Sequence, residues 1–159
     1  MNFDLSEEQQ LVSDSIERFV LENYALESRV AIVKQTPGFS LGYWQTMSEL
    51  GWLGLPFSED DGGFGGDQLD TMVLMEQFGK GLVLEPFLAS IVLGGGVLKR
   101  VASEAQRKAW LEVVIDGSKQ LALAYAEPDS GFEPHNVAIA GSKTNDGYTP
   151  VSYTHLRAP

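Results

Sequence analysis

The chain has 159 residues, 22 acidic and 11 basic side chains, a formal net charge of −11, no cysteine and two histidines. Without thiols it can have no disulfide staple, no cysteine nucleophile and no cysteine-based zinc site. The acidic balance argues against nucleic acid or an anionic membrane surface as a partner, because both are bound through clustered Lys and Arg.

The N-terminus, Met1-Asn2-Phe3-Asp4, lacks the basic region of a targeting segment and runs straight into acids. Ser6 followed by Gln9 has the form of a capping box. It precedes Leu11, Val12, Ile16, Phe19 and Val20, which share one helical face. A short polar helix is expected from about Ala25 to Gln35, ended by Thr36-Pro37-Gly38. Ser40 is placed to cap a helix running through Leu50, with Tyr43, Trp44, Met47 and Leu50 on its buried side and Gly51 at the position after its end. Trp52 to Pro56 then reads as extended, and Ser58 to Gly66 as a loop. Another helix is predicted from about Asp67 to Gly79, its apolar face formed by Leu69, Met72, Val73, Met75 and Phe78 with Glu76 at its boundary. Pro86 suits the first turn of a helix that continues towards Arg100. That apolar stretch is interrupted by Glu85, Pro86 and Gly94-Gly95-Gly96, so it is too short to span a membrane. Ser103 with Gln106 forms a second capping-box pattern, opening a helix with Trp110, Leu111, Val113, Val114 and Ile115. Trp44, Trp52 and Trp110 read as core anchors.

After Gly117 the pattern changes to short apolar runs. Gln120 to Tyr125 and Asn136 to Ala140 read as strands, and Asn145-Asp146-Gly147 as a hairpin turn before Tyr148. The fold class is therefore mainly α: a helical domain over residues 1–118, the first strands of a truncated β domain over 119–149, and a tail over 150–159.

The residues alone point to little chemistry. The two histidines, His135 and His155, have no ligand set around them, so no metal site is expected. No serine sits in a Gly-x-Ser-x-Gly elbow. The pairs Glu7-Glu8 and Asp60-Asp61 read as solvated surface. Gly62 to Gly66 lacks the Gly-Lys-Ser/Thr that would make it a phosphate cradle.

The order of segments resembles the acyl-CoA dehydrogenase family from the N-terminus to about Tyr148. The resemblance is carried by Phe3-Asp4-Leu5-Ser6-Glu7-Glu8-Gln9, by Glu49-Leu50-Gly51-Trp52-Leu53-Gly54-Leu55-Pro56, by Glu59 to Gly66, and by Ala124-Tyr125-Ala126-Glu127-Pro128-Asp129-Ser130-Gly131. Gly81 to Leu88 is most similar to the small-subunit type of pimeloyl-CoA dehydrogenases. The resemblance implies FAD as cofactor, an acyl-CoA thioester as substrate, α,β-dehydrogenation with hydride transfer to the flavin, and an electron-transfer flavoprotein as electron acceptor. It implies a homo- or hetero-oligomer for the full-length protein, and a cytoplasmic location is expected. It places Tyr125 and Ala126 beside the isoalloxazine ring, and Gly131 and Phe132 near the phosphates or substrate. Gly95 and Gly96 fall on a helix that in the family lines the acyl-chain cavity, where they either make room for a substrate chain or simply break the helix or pack it closely against a neighbour. The family's catalytic glutamate belongs to a C-terminal helical domain, so no residue here is assigned as the base.

Two departures stand out. Ala126 replaces a Thr or Ser whose hydroxyl bonds the flavin, and Phe132 replaces a Ser. They keep open a second reading, a fragment of a non-catalytic helical subunit that supports an active dehydrogenase partner. From about residue 150 the match ends, and Val151 to Ala158 resembles translated adapter sequence, which sets His155 aside.

Overall fold

The computed structural model describes residues 4–125, 133, 135–137, 139–145 and 147–151. They fall into two compact units, Met1–Ala122 and Leu123–Pro159.

The first unit is helical. Helix α1, Glu7–Asn23, opens on the predicted box: Ser6 Oγ accepts the Gln9 amide while the Gln9 side chain accepts the Ser6 amide. Helix α2, Leu26–Val33, buries no side chain. Helix α3, Leu41–Glu49, is capped by Ser40, and Gly51 follows it with φ +79°. Trp44 and Met47 are buried as predicted, whereas Leu50 caps the helix end and is exposed.

The segment from Trp52 to Pro56 is not extended. It coils through successive turns, with the amides of Gly54, Leu55 and Phe57 donating to the carbonyls of Gly51, Trp52 and Gly54. The reason is burial. Trp52, Leu53 and Phe57 all enter the core, and a strand would send Trp52 and Leu53 to opposite faces. The following loop contains a 3₁₀ turn at Glu59–Asp61. Asp61 fastens it to the body by accepting from Arg107 Nε at 3.1 Å and from Ser58 Oγ at 2.8 Å. Burial alone would raise the Asp61 carboxyl, but these bonds and the charges of Arg107 and Lys99 hold it below its ordinary value.

Helix α4, Gln68–Gly81, starts on a capping box of Asp67 and Asp70. Its buried stripe is Val73, Leu74, Gln77 and Phe78, while Leu69 and Met72, expected on the apolar face, are exposed. The stripe includes a polar residue because Gln77 Nε2 donates to buried Ser13 Oγ of α1 at 2.8 Å. Glu76 is on the outside, paired with Lys80 one turn along.

The helix expected after Pro86 is π-helical over Leu88–Gly95 and becomes α-helical only at α5, Gly96–Val101. Glycine contributes little α-helix preference of its own, so packing decides how this stretch winds. Helix α6, Glu104–Ile115, opens on the predicted Ser103–Gln106 box. It buries Leu111 and Val114, whereas Trp110 is 49% exposed and is no core anchor. Adjacent helical residues point about 100° apart, which turns Trp110 off the Leu111 stripe. The other two tryptophans are core residues, and Trp44 Nε1 donates to the Gly117 carbonyl at 3.1 Å.

The second unit is described by a two-stranded antiparallel hairpin, β1 Ala140–Thr144 and β2 Gly147–Val151, with Thr144 opposite Gly147 across the predicted turn. Neither Gln120 to Tyr125 nor the described residues of 136–139 form a strand. The Leu121 amide is satisfied by a side chain, Ser90 Oγ, rather than by a ladder. Pro150 and Val151, assigned from the sequence to the tail, pair with Gly141 and Ala140.

At the centre of the helical unit lies a carboxylate. Glu85 is 6% exposed. Its Oε1 accepts the Ser40 amide at 3.0 Å and its Oε2 accepts the Tyr24 hydroxyl. In the core of the same unit the rings of Phe19, Tyr24, Tyr43, Trp52, Phe78 and Phe87 meet mostly edge to face. Burial pushes the Glu85 carboxyl above the ordinary glutamate range, and the backbone amides that bond it oppose this without cancelling it. A raised native value means the folded chain holds the extra proton, so stability falls as pH rises from the ordinary glutamate value through the raised one. Urea denaturation tests this. Glu85→Ala strands the Tyr24 hydroxyl and Ser40 amide and is expected to cost about 2–4 kcal/mol at neutral pH. Glu85→Gln, which mimics the protonated acid, is expected to be far milder and to abolish the fall in stability across that pH window.

Candidate functional site

The sequence-assigned residues divide between the two units. Gly95 and Gly96 sit where the π-helical segment passes into α5. Tyr125 belongs to the second unit; its ring is 56% exposed and its amide donates to the Leu123 carbonyl at 3.1 Å. Ala126, Gly131 and Phe132 lie outside the described residues.

The three adjacent glycines have three different surroundings. A Cβ on Gly94 would lie 2.5 Å from Leu121 Cβ, and one on Gly95 would lie 2.5 Å from Phe57 Cζ. These two are glycine because neighbours occupy the space of a side chain. Gly96 would meet nothing within 4 Å. It lines a cleft of about 660 Å³ whose walls include Pro56, Phe57, Leu69, Ile91 and Val92. Of these three glycines, Gly94 and Gly95 stand against neighbours and Gly96 borders open space.

The cleft has mainly apolar walls and a charged edge, where the acid Asp67 stands with two bases. Lys99 and Arg100 both line it, and Lys99 Nζ donates to the Pro56 carbonyl at 2.7 Å. That suits an apolar chain attached to an anionic group. A second hollow, of about 490 Å³, is lined by Glu59, Asp60, Asp61, Glu112 and Asp116, with Lys108, Gly62 and Phe64. Among the described residues no group of three or more His, Asp or Glu side chains is placed to hold a metal ion, and no helix is long and apolar enough to cross a membrane.

Sequence reasoning missed Phe57, Ser90 and Leu121, which the structure places around the glycines. Ser90 is fully buried, and its Oγ accepts the Leu121 amide at 2.9 Å. The available signal was a lone hydroxyl in an apolar run, Ala89-Ser90-Ile91-Val92, although nothing local names its partner. Glu85 is the most deeply buried acid described, yet it does not line the cleft and both its oxygens are engaged.

Comparison with known proteins agrees with this architecture. The pattern of the acyl-CoA dehydrogenase N-terminal domain matches residues 6–118. A probable acyl-CoA dehydrogenase of Bacillus subtilis, YngJ, is 29% identical over 150 residues, covering 93% of this chain and 39% of that protein. The CarC subunit of the caffeyl-CoA reductase–Etf complex of Acetobacterium woodii is 29% identical over 118 residues, covering 73% of this chain and 31% of that one. The crystal structure of an acyl-CoA dehydrogenase complexed with FAD from Bacillus anthracis superposes with a TM-score of 0.79 at 23% identity, covering 94% of this chain and 26% of that one. The chain thus spans about two fifths or less of the length of these relatives. With the domain pattern covering most of its length and the helical fold shared, the chain belongs to the acyl-CoA dehydrogenase family through that family's N-terminal domain.

Proposed function

We propose that this chain supplies the N-terminal helical part of a flavin-dependent acyl-CoA dehydrogenase, which introduces the α,β double bond into an acyl-CoA thioester. The observation that carries this reading is the family's N-terminal domain over residues 6–118, folded so that Gly96 borders a mainly apolar cleft with a charged edge. In the intact enzyme the thioester's acyl chain runs along Ile91, Val92 and Gly96, with Lys99 and Arg100 beside the anionic part of the substrate. Gly95 acts indirectly, by letting the Phe57 ring seat under the helix.

Tyr125 is half-exposed and so offers an aromatic side chain to a planar partner. Ala126 has no hydroxyl to donate, which leaves only its backbone groups for hydrogen bonding. FAD, when bound, would supply the hydride acceptor. Tyr125 and Ala126 would flank it, and Gly131 and Phe132 would lie towards its phosphates or the substrate. The proton-abstracting base comes from outside these residues. An electron-transfer flavoprotein takes the electrons onward, a reading supported by the named Etf association of the CarC relative. The same association supports an assembly of more than one subunit, homo- or hetero-oligomeric, and we place it in the cytoplasm. Residues from about 150 onward take no part.

A second reading is favoured by Ala126 and Phe132: the domain belongs to a non-catalytic subunit that supports an active partner. One chimera separates the two. Residues 6–149 replace the matching part of the Bacillus subtilis relative, and the product is purified and titrated with acyl-CoA. The expected result is a yellow protein whose flavin is bleached by substrate, while the 159-residue chain alone holds no stoichiometric flavin and turns nothing over. A folded chimera that binds flavin but is not bleached by any acyl-CoA from short to long points to the subunit reading. A yellow, active 159-residue chain contradicts the placement of the base.

The cleft is tested in the same chimera by Gly96→Leu, which fills open space without disturbing the core. It is expected to weaken kcat/KM for long acyl chains about tenfold and to spare short ones. An unchanged chain-length profile removes the acyl chain from this cleft.

A further inference from the structure

We propose that Ser90 and Gly94 form a socket for Leu121 and are positioning residues for the segment that leads to Tyr125. The functional part of this inference rests on the flavin reading above. Ser90 and Gly94 are one helical turn apart on the π-helical segment, and both are buried. They hold Leu121 in two independent ways. Ser90 Oγ accepts its amide at 2.9 Å, which fixes the backbone. The bare backbone of Gly94 admits its Cβ, since a Cβ on Gly94 would lie 2.5 Å from it. A hydrogen bond fixes orientation and a steric seat fixes depth, so together they define where one peptide unit stands.

Residues 120–125 have no ladder bonds to position them, as they form no strand. A side-chain acceptor does that task instead. A hydroxyl at a fully buried position is unfavourable unless bonded, so an apolar residue would fill the site of Ser90 better if packing were its only role. Leu121 is four residues from Tyr125, and four residues span at most about 14 Å. A shift at Leu121 is therefore expected to be read in the Tyr125 resonances.

Amide exchange and chemical shifts in the full 159-residue chain test the socket. Ser90→Ala is expected to speed exchange of the Leu121 amide about tenfold and to shift the Tyr125 resonances. Amides of α1, remote from the socket, should exchange as before. Ser90→Thr, which keeps the hydroxyl, should restore Leu121 protection, and Gly94→Ala should displace Leu121 although Ser90 is intact. Unchanged Leu121 protection in Ser90→Ala overturns the socket, as does a loss of protection shared equally by α1, which signals general destabilisation. In the flavin-bearing chimera, Ser90→Ala is expected to weaken flavin binding about tenfold and to alter its visible spectrum. Unchanged affinity and spectrum there overturn the positioning role. A chimera that holds no flavin with Ser90 intact contradicts the flavin reading instead, and the exchange result then decides the socket by itself.

Discussion

The helical unit depends on one buried carboxylate. Glu85 sits on the link between α4 and the π-helical segment, and its oxygens accept from Tyr24 at the end of α1 and Ser40 at the start of α3. An acid placed among aromatic rings is costly unless its oxygens are bonded. Three chain segments distant in sequence are therefore obliged to meet at one point. Tyr24, one of the partners of Glu85, also joins Tyr43, Phe19 and Trp52 in a chain of ring contacts. A second polar pair, Ser13 with Gln77, sets the register of α1 on α4, and Gln9 with Asp70 repeats it at the surface at 3.0 Å. Hydrophobic burial supplies most of the driving force in such a core, while these polar contacts select which helix meets which.

From this frame the functional face follows by short steps. Trp52, Leu53 and Phe57 enter the core together, which coils the chain after α3 and brings Phe57 under Gly95. The π-helical segment is held from below by that ring and from the side by Leu121. Buried Ile91 and the partly exposed Val92 and Gly96 line the cleft. Asp67, Lys99 and Arg100 give that cleft a charged edge.

What the sequence made legible was local. Ser6 with Gln9, Ser103 with Gln106, Ser40 and Gly51 announce helix ends through neighbours three or four residues away, and the structure places each as expected. The β-hairpin turn has the same character. What failed depended on partners far along the chain. Leu69, Met72 and Trp110 are apolar at helical spacing, yet the faces that bury are set by Ser13, Trp44 and other residues on distant elements. Gln120 to Tyr125 has strand composition, but a strand needs an edge to pair with, and Ser90 takes its amide instead. The family could be named because four motifs occur in order, which is again sequence-local information. Ser90, Leu121 and Phe57 could not be found that way, because each matters only for what it touches.

The claim that the frame is organised around Glu85 is tested most directly by a carbon-13 titration of its side-chain carboxyl, followed together with the Ser40 amide proton. The account predicts a midpoint above the ordinary glutamate range, reported identically by both nuclei because they share one hydrogen bond. A carboxyl that titrates like an exposed glutamate, with a Ser40 amide that does not respond, would contradict it.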